Sequence, residues 1–213
     1  MRITTLKIAA SVLFVAAALA MAPTALANSI TYKLSSNNLG ISGSVGTVTV
    51  TDTGLNQVTV SIIMSPGYSV KLNGGDIAFN GTSGLKLTAV SDFAATAGLN
   101  TYGGLDFQHV KTSQNISMFG TFAFDLTNVQ GQPKGVVSAD TVSFVLTGTN
   151  LTASEFTGVA IHFCTASGSS CGPYTGFANG TPGTSPVPEP GTLGLLGTGL
   201  VSLGGLVRRR FLS

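Results

Sequence analysis

Two cysteines, two histidines and seven acidic residues are all the chemistry-bearing ionisable or thiol groups, besides lysine and tyrosine, between residues 28 and 187 of this chain. Cys164 and Cys171 are separated by six mostly small polar residues, and in an oxidising compartment they form a disulfide that closes a short loop. The chain-entropy estimate for a loop of that size is roughly 2.5 kcal/mol. A zinc site would need further ligands, and only His162 is near in sequence. His162 alternates out of register with Val159, Ile161 and Phe163, so it is expected to face away from the core, and no metal site is assigned. His109 closes the stretch Asp106-Phe107-Gln108-His109, an acid beside a base of the kind hydrolases use. The chain has no Gly-x-Ser-x-Gly elbow, no His-Glu-x-x-His and no acidic cluster, so no catalytic residue and no cofactor is assigned.

Three weaker groupings have binding chemistry. Asn73, Asp76 and Asn80 could supply oxygens to calcium, although they lack the alternating pattern of a calcium loop and fit a hairpin turn equally well. Tyr68, Tyr102 and Tyr174 stand in turn-like contexts where a sugar could stack, but the chain has no Trp, the best stacking platform. Threonine is abundant, yet no short fixed period puts it in ranks.

The elements that must position these groups read as strands. Gly, Thr, Ser, Val and Asn dominate, and charged residues make up 8% of the chain, so the usual helix-surface residues are scarce. A period of two runs through Val48 and Val50, through Val58, Val60 and Ile62, and through Leu85, Leu87 and Ala89. It recurs in Ile116, Met118, Gly120, Phe122, Phe124 and Leu126, in Val142, Phe144 and Leu146, and in Val159, Ile161 and Phe163. About eight strands of this kind predict an all-β domain, a single antiparallel β-sandwich or jelly roll. Asn73-Gly74-Gly75-Asp76 and Asn80-Gly81-Thr82 are expected as tight hairpin turns, and Thr96 to Gly104 as a longer polar loop. Leu151 to Phe156 reads as a turn or short helix.

Both ends read as addresses. Arg2 and Lys7 precede the apolar stretch Ile8 to Ala22, and Ala25-Leu26-Ala27 places small residues at the positions a signal peptidase reads, with cleavage after Ala27. At the other end come Pro188-Glu189-Pro190, the uncharged stretch 191–207, and Arg208-Arg209-Arg210. Those seventeen residues would make a helix of roughly 25 Å. That is somewhat short of a hydrocarbon core of about 30 Å, which suits a transient inner-membrane span. Arginines held on the cytoplasmic side would place everything before Gly191 outside. The prolines keep Glu189 in extended chain, open to a protease at the membrane surface. The expected organisation is therefore a signal peptide at 1–27, a passenger domain at 28–174, a Gly/Thr/Ser/Pro linker at 175–187 and the tail at 188–213. Residues 28–187 hold five lysines and no arginine against the seven acids, so the passenger lacks the basic footprint of a nucleic-acid binder.

The tail resembles the PEP-CTERM sorting signal of Gram-negative bacteria in its Pro-Glu-Pro, its glycine-rich hydrophobic stretch and its arginine-rich end. The segment from Asp140 to Gly172, with its Val-x-x-His strand, resembles the end of many passenger domains that precede such tails. The resemblance implies passage through the secretory translocon and signal peptidase, then processing by an exosortase, for which Pro188, Glu189 and Pro190 are substrate. It also implies a cell-surface or extracellular-matrix destination, with extracellular polysaccharide and biofilm as the setting. The expected function is a non-enzymatic surface protein. A lectin-like carbohydrate-binding module and, behind it, a secreted hydrolase are the alternatives.

Overall fold

The computed structural model describes residues 28–130, 138–167 and 170–183. Ala25 and Ala27 of the expected cleavage site lie outside the described residues. So do Pro188, Glu189, Pro190, Arg208, Arg209, Arg210 and the apolar stretch 191–207 between them.

Alternating β-branched and hydroxyl residues build the first wall. β1 (Ser29–Asn37), β2 (Gly46–Gly54) and β3 (Gln57–Met64) are antiparallel neighbours. Val48 and Val50 of β2, and Val58, Val60 and Ile62 of β3, are fully buried, while the Thr and Ser residues between them face outward. Asn56 turns β2 into β3 at φ 54°, a left-handed conformation that Asn tolerates better than most residues.

The chain continues as β4 (Tyr68–Lys71), β5 (Asp76–Gly81), β6 (Lys86–Ala97), β7 (Asn100–Ile116) and β8 (Gly120–Gln130). Then come β9 (Ser138–Ala139), β10 (Thr141–Thr149), a 3-10 turn at Ala153–Glu155, β11 (Phe156–Ser167) and β12 (Ser170–Pro182). The strands form one sheet in the order β12-β1-β2-β3-β10-β6-β7-β8-β5-β11-β4-β9, and β12 pairs with β11 as well as β1. Every described pairing is antiparallel. The domain is thus all-β, as expected. In place of two separate sheets it has a single sheet that curls until β12 seals β1 against β11.

Curling brings distant strands face to face. Three strands lie between β5 and β10 in the sheet order, yet Phe79 of β5 meets the ring of Phe144 of β10 edge-on at 6.3 Å. Phe93 stacks on Phe144 at 5.9 Å and Phe156 meets Phe79 at 5.5 Å, which places aromatics at the centre of the main core. Tyr32 reaches that core too, and its hydroxyl donates to Phe156 O at 2.7 Å.

Four expectations need correction. The linker expected from Thr175 is, as far as Pro182, strand β12, because its small residues let it lie between β1 and β11: a Cβ at Gly180 would press on Tyr32 and the Lys33 carbonyl. Neither expected hairpin turn forms: β4 and β5 both pair antiparallel with β11 and so run in the same direction along it, and Asn80 and Gly81 lie within β5, whose neighbours are β8 and β11. The polar loop expected at Thr96 to Gly104 is a tight β6–β7 turn, with Ala97 opposite Asn100 and Gly98 at φ 59°. The alternating run from Ile116 to Leu126 is two strands, because Phe119 N bonds back to Ile116 O and Met118 turns outward at φ 68°.

Candidate functional site

The groups with chemistry converge on β11, its hairpin with β12, and the strands beside it. Cys164 and Cys171 form a disulfide with Cα atoms 5.4 Å apart, and among the described residues no cysteine is free. The bridge clamps the far end of the β11–β12 hairpin, on the strand that seals the sheet.

His162 sits opposite Phe177 across this hairpin and stacks on its ring at 4.4 Å. Val159, Ile161 and Phe163 point the other way into the main core, so the alternation read from the sequence places the imidazole on the outer face. There a second, smaller cluster of Ala78, Ile116, Phe122 and Ala160 is packed, with Phe119 and Phe177 at its margin. Desolvation lowers the His162 pKa to about 4, and the positive charge of Lys71 acts in the same direction. Its Nδ1 is buried without a hydrogen-bond partner in the protein, as are Ser138 Oγ and Thr165 Oγ1.

Ser69, fully buried on β4, donates its hydroxyl to Asp140 Oδ1 at 2.8 Å. Asp140 Oδ2 accepts from Gly98 N at 2.8 Å, and Asp140 N donates to Thr96 O at 2.7 Å. This carboxylate therefore ties β4 to the β6–β7 turn at the entrance to β10. The Ser69 hydroxyl is thus engaged by a carboxylate and not by an imidazole, the partner that would activate a nucleophilic serine.

The structure disperses the other candidates. Asp106 and His109 lie on β7, with their backbones opposite Gln130 and Thr127. Asn80 Oδ1 accepts from Ala123 N at 2.9 Å. Lys71 Nζ donates to the backbone carbonyls of Asn73 and Gly74 at 2.8 and 3.2 Å, which places an ammonium against that turn. No group of three or more His, Cys, Asp or Glu side chains that could hold a metal occurs among the described residues. The tyrosines form no platform. Tyr68 packs edge-on against Phe163 at 5.9 Å, Tyr102 is half-buried against the core, and Tyr174 alone is open, at 66% exposure. None of the three lies in a loop, since they belong to β4, β7 and β12.

Both ends of the described chain lie at one corner of the sheet. Asn28 O accepts from Asp52 N just before β1, and Gly183 N donates to Thr31 O just after β12. In the sequence, Pro188 follows Gly183 by five residues.

Residues 186–210 match the PEP-CTERM protein-sorting motif. The match begins beyond β12 and takes in Pro188-Glu189-Pro190 and the three arginines. It implies an exported protein that reaches the cell surface with an exosortase as its processing partner. No curated protein and no solved structure matches the chain.

Proposed function

Starting from a chain that carries a PEP-CTERM motif, we propose that it is a non-enzymatic component of the cell surface or extracellular matrix, associated with exopolysaccharide in a biofilm. Its route is the secretory translocon, signal peptidase cleavage after Ala27, a transient inner-membrane intermediate spanning residues 191–207, and exosortase processing at Pro188-Glu189-Pro190. The match of residues 186–210 to the sorting motif carries this reading. Two features of the domain support it. A disulfide suits an oxidising compartment, and the buried Ser69 donates its hydroxyl to the half-buried Asp140 carboxylate instead of to an activating base.

The test is deletion of the exosortase in the native host, followed by cell fractionation. The protein should then leave the surface fraction and accumulate at the inner membrane with its tail intact. Undiminished surface delivery of a processed chain in the deletion strain would refute the route.

A further inference from the structure

We infer that the turn between β4 and β5 is a self-modifying site, at which Asn73 converts to aspartate or isoaspartate with Lys71 as the promoter. The chain has three Asn-Gly pairs, Asn73-Gly74, Asn80-Gly81 and Asn179-Gly180. In each, the glycine carries no side chain to shield its backbone nitrogen from the side-chain amide before it. The sequence makes the three pairs equivalent, and the fold separates them.

Two of the pairs are held in strands. Asn80 and Gly81 close β5, where they pair with Gly158 and Phe156 of β11, and Asn80 Oδ1 accepts from Ala123 N at 2.9 Å. Asn179 and Gly180 lie in β12, paired with β1 on one edge and β11 on the other. Ring closure at either pair must first break strand pairing. Asn73 and Gly74 instead stand exposed between strands, at the centre of a turn in which Gly75 N bonds to Leu72 O at 3.2 Å. Gly74 takes φ 66° there.

The reaction needs only water. Gly74 N loses its proton to a solvent base, and the negative charge is shared between that nitrogen and Asn73 O. The nitrogen then attacks Asn73 Cγ, a new C–N bond closes a succinimide ring, and the side-chain nitrogen leaves as ammonia after taking up a proton. Water opens the ring at one carbonyl to give aspartate, or at the other to route the backbone through the side chain as isoaspartate. Water is consumed and ammonia released, with nothing oxidised or reduced.

Lys71 supplies what distinguishes this turn from any exposed Asn-Gly. Its Nζ donates to Asn73 O at 2.8 Å and to Gly74 O at 3.2 Å. Asn73 O is the atom that gains charge when Gly74 N is deprotonated. The ammonium therefore stabilises the reactive anion more than the neutral peptide, which is the condition for acceleration. Gly75 keeps the turn tight against this lysine, since a Cβ at that position would collide with Lys71 O.

The test incubates the folded protein purified from its host near neutral pH and follows each Asn-Gly pair by peptide mass mapping, with fragmentation that tells aspartate from isoaspartate. Asn73 should convert at least about tenfold faster than Asn80 or Asn179, because reaction in the strands waits on local opening. In urea the three rates should converge. Lys71→Gln keeps a donor but removes the charge, and should slow Asn73 about fivefold, the ratio given by one solvated charge at hydrogen-bond distance. Lys71→Arg should react like the wild type, and added salt should narrow the gap between the wild type and Lys71→Gln. Conversion at Asn80 or Asn179 as fast as at Asn73 in the folded protein would overturn the inference. So would a Lys71→Gln rate equal to or above that of the wild type, or a Lys71→Arg rate as slow as that of Lys71→Gln.

Discussion

Two walls of the same sheet are built on different rules. The wall of β1, β2, β3 and β10 alternates, with mainly valine, isoleucine, leucine and phenylalanine inside and mainly hydroxyls outside, Lys33, Ile63 and Val145 being exceptions on the outer side. The opposite wall, centred on β11 and β5, is buried on both faces. Ala78, Phe79, Ala160 and Ile161 are all at or near zero exposure although neighbours in sequence point in opposite directions. The first wall meets solvent on one side, and the second separates the main core from the small cluster around Ile116 and Phe122. Mutations should therefore cost stability on either side of β11 but on only one side of β3.

The largest effect is expected where the two walls meet. Phe144→Ala removes the ring that touches both Phe79 and Phe93, and it should cost about 3–5 kcal/mol in a denaturant titration. The doubly buried wall comes next. Replacing Cys164 and Cys171 by serine should cost about 2.5 kcal/mol, measured the same way, by releasing the end of the β11–β12 hairpin. Tyr32→Phe leaves the buried Phe156 carbonyl without its 2.7 Å partner and should cost about 1–3 kcal/mol. On the solvated face, Thr49→Ala should shift stability by no more than about 0.5 kcal/mol. A cost of several kcal/mol there would erase the distinction between the walls.

His162 gives the comparison a pH dependence. Its folded pKa, lowered to about 4, lies below the ordinary value of 6.5, so the unfolded chain binds the extra proton first. The stabilisation is complete above about pH 6.5 and is lost as pH falls toward 4. Denaturant midpoints should decline across that window, and His162→Gln should remove that part of the slope.

The alternation that defines the first wall was legible in the sequence, because residues such as Val48, Val50, Val58 and Val60 mark their own faces. The alignment of its outward hydroxyls across strands was not. It arises from register between residues far apart in sequence, such as Ser61 and Ser143, and no repeat along the chain encodes that. The β12 strand was missed because Gly176, Gly180 and their polar neighbours have little strand propensity. Pairing on both sides, with β1 and β11, overrides that deficit. The Ile116–Leu126 run misled because Ser117-Met118-Phe119 continues the alternation through a turn that only backbone geometry reveals. The cysteine pair needed no tertiary knowledge, since its short separation and an exported context were enough. The sorting tail was equally local, three features in a fixed order.

The most direct test of the central claim is the intact mass of the protein recovered from its native host, before and after reduction. The account predicts a chain that begins at Asn28, ends within or near Pro188-Glu189-Pro190 and gains one pair of hydrogen atoms on reduction. A chain that still carries Arg208 to Ser213 would contradict it and make the tail a permanent tether at the inner membrane.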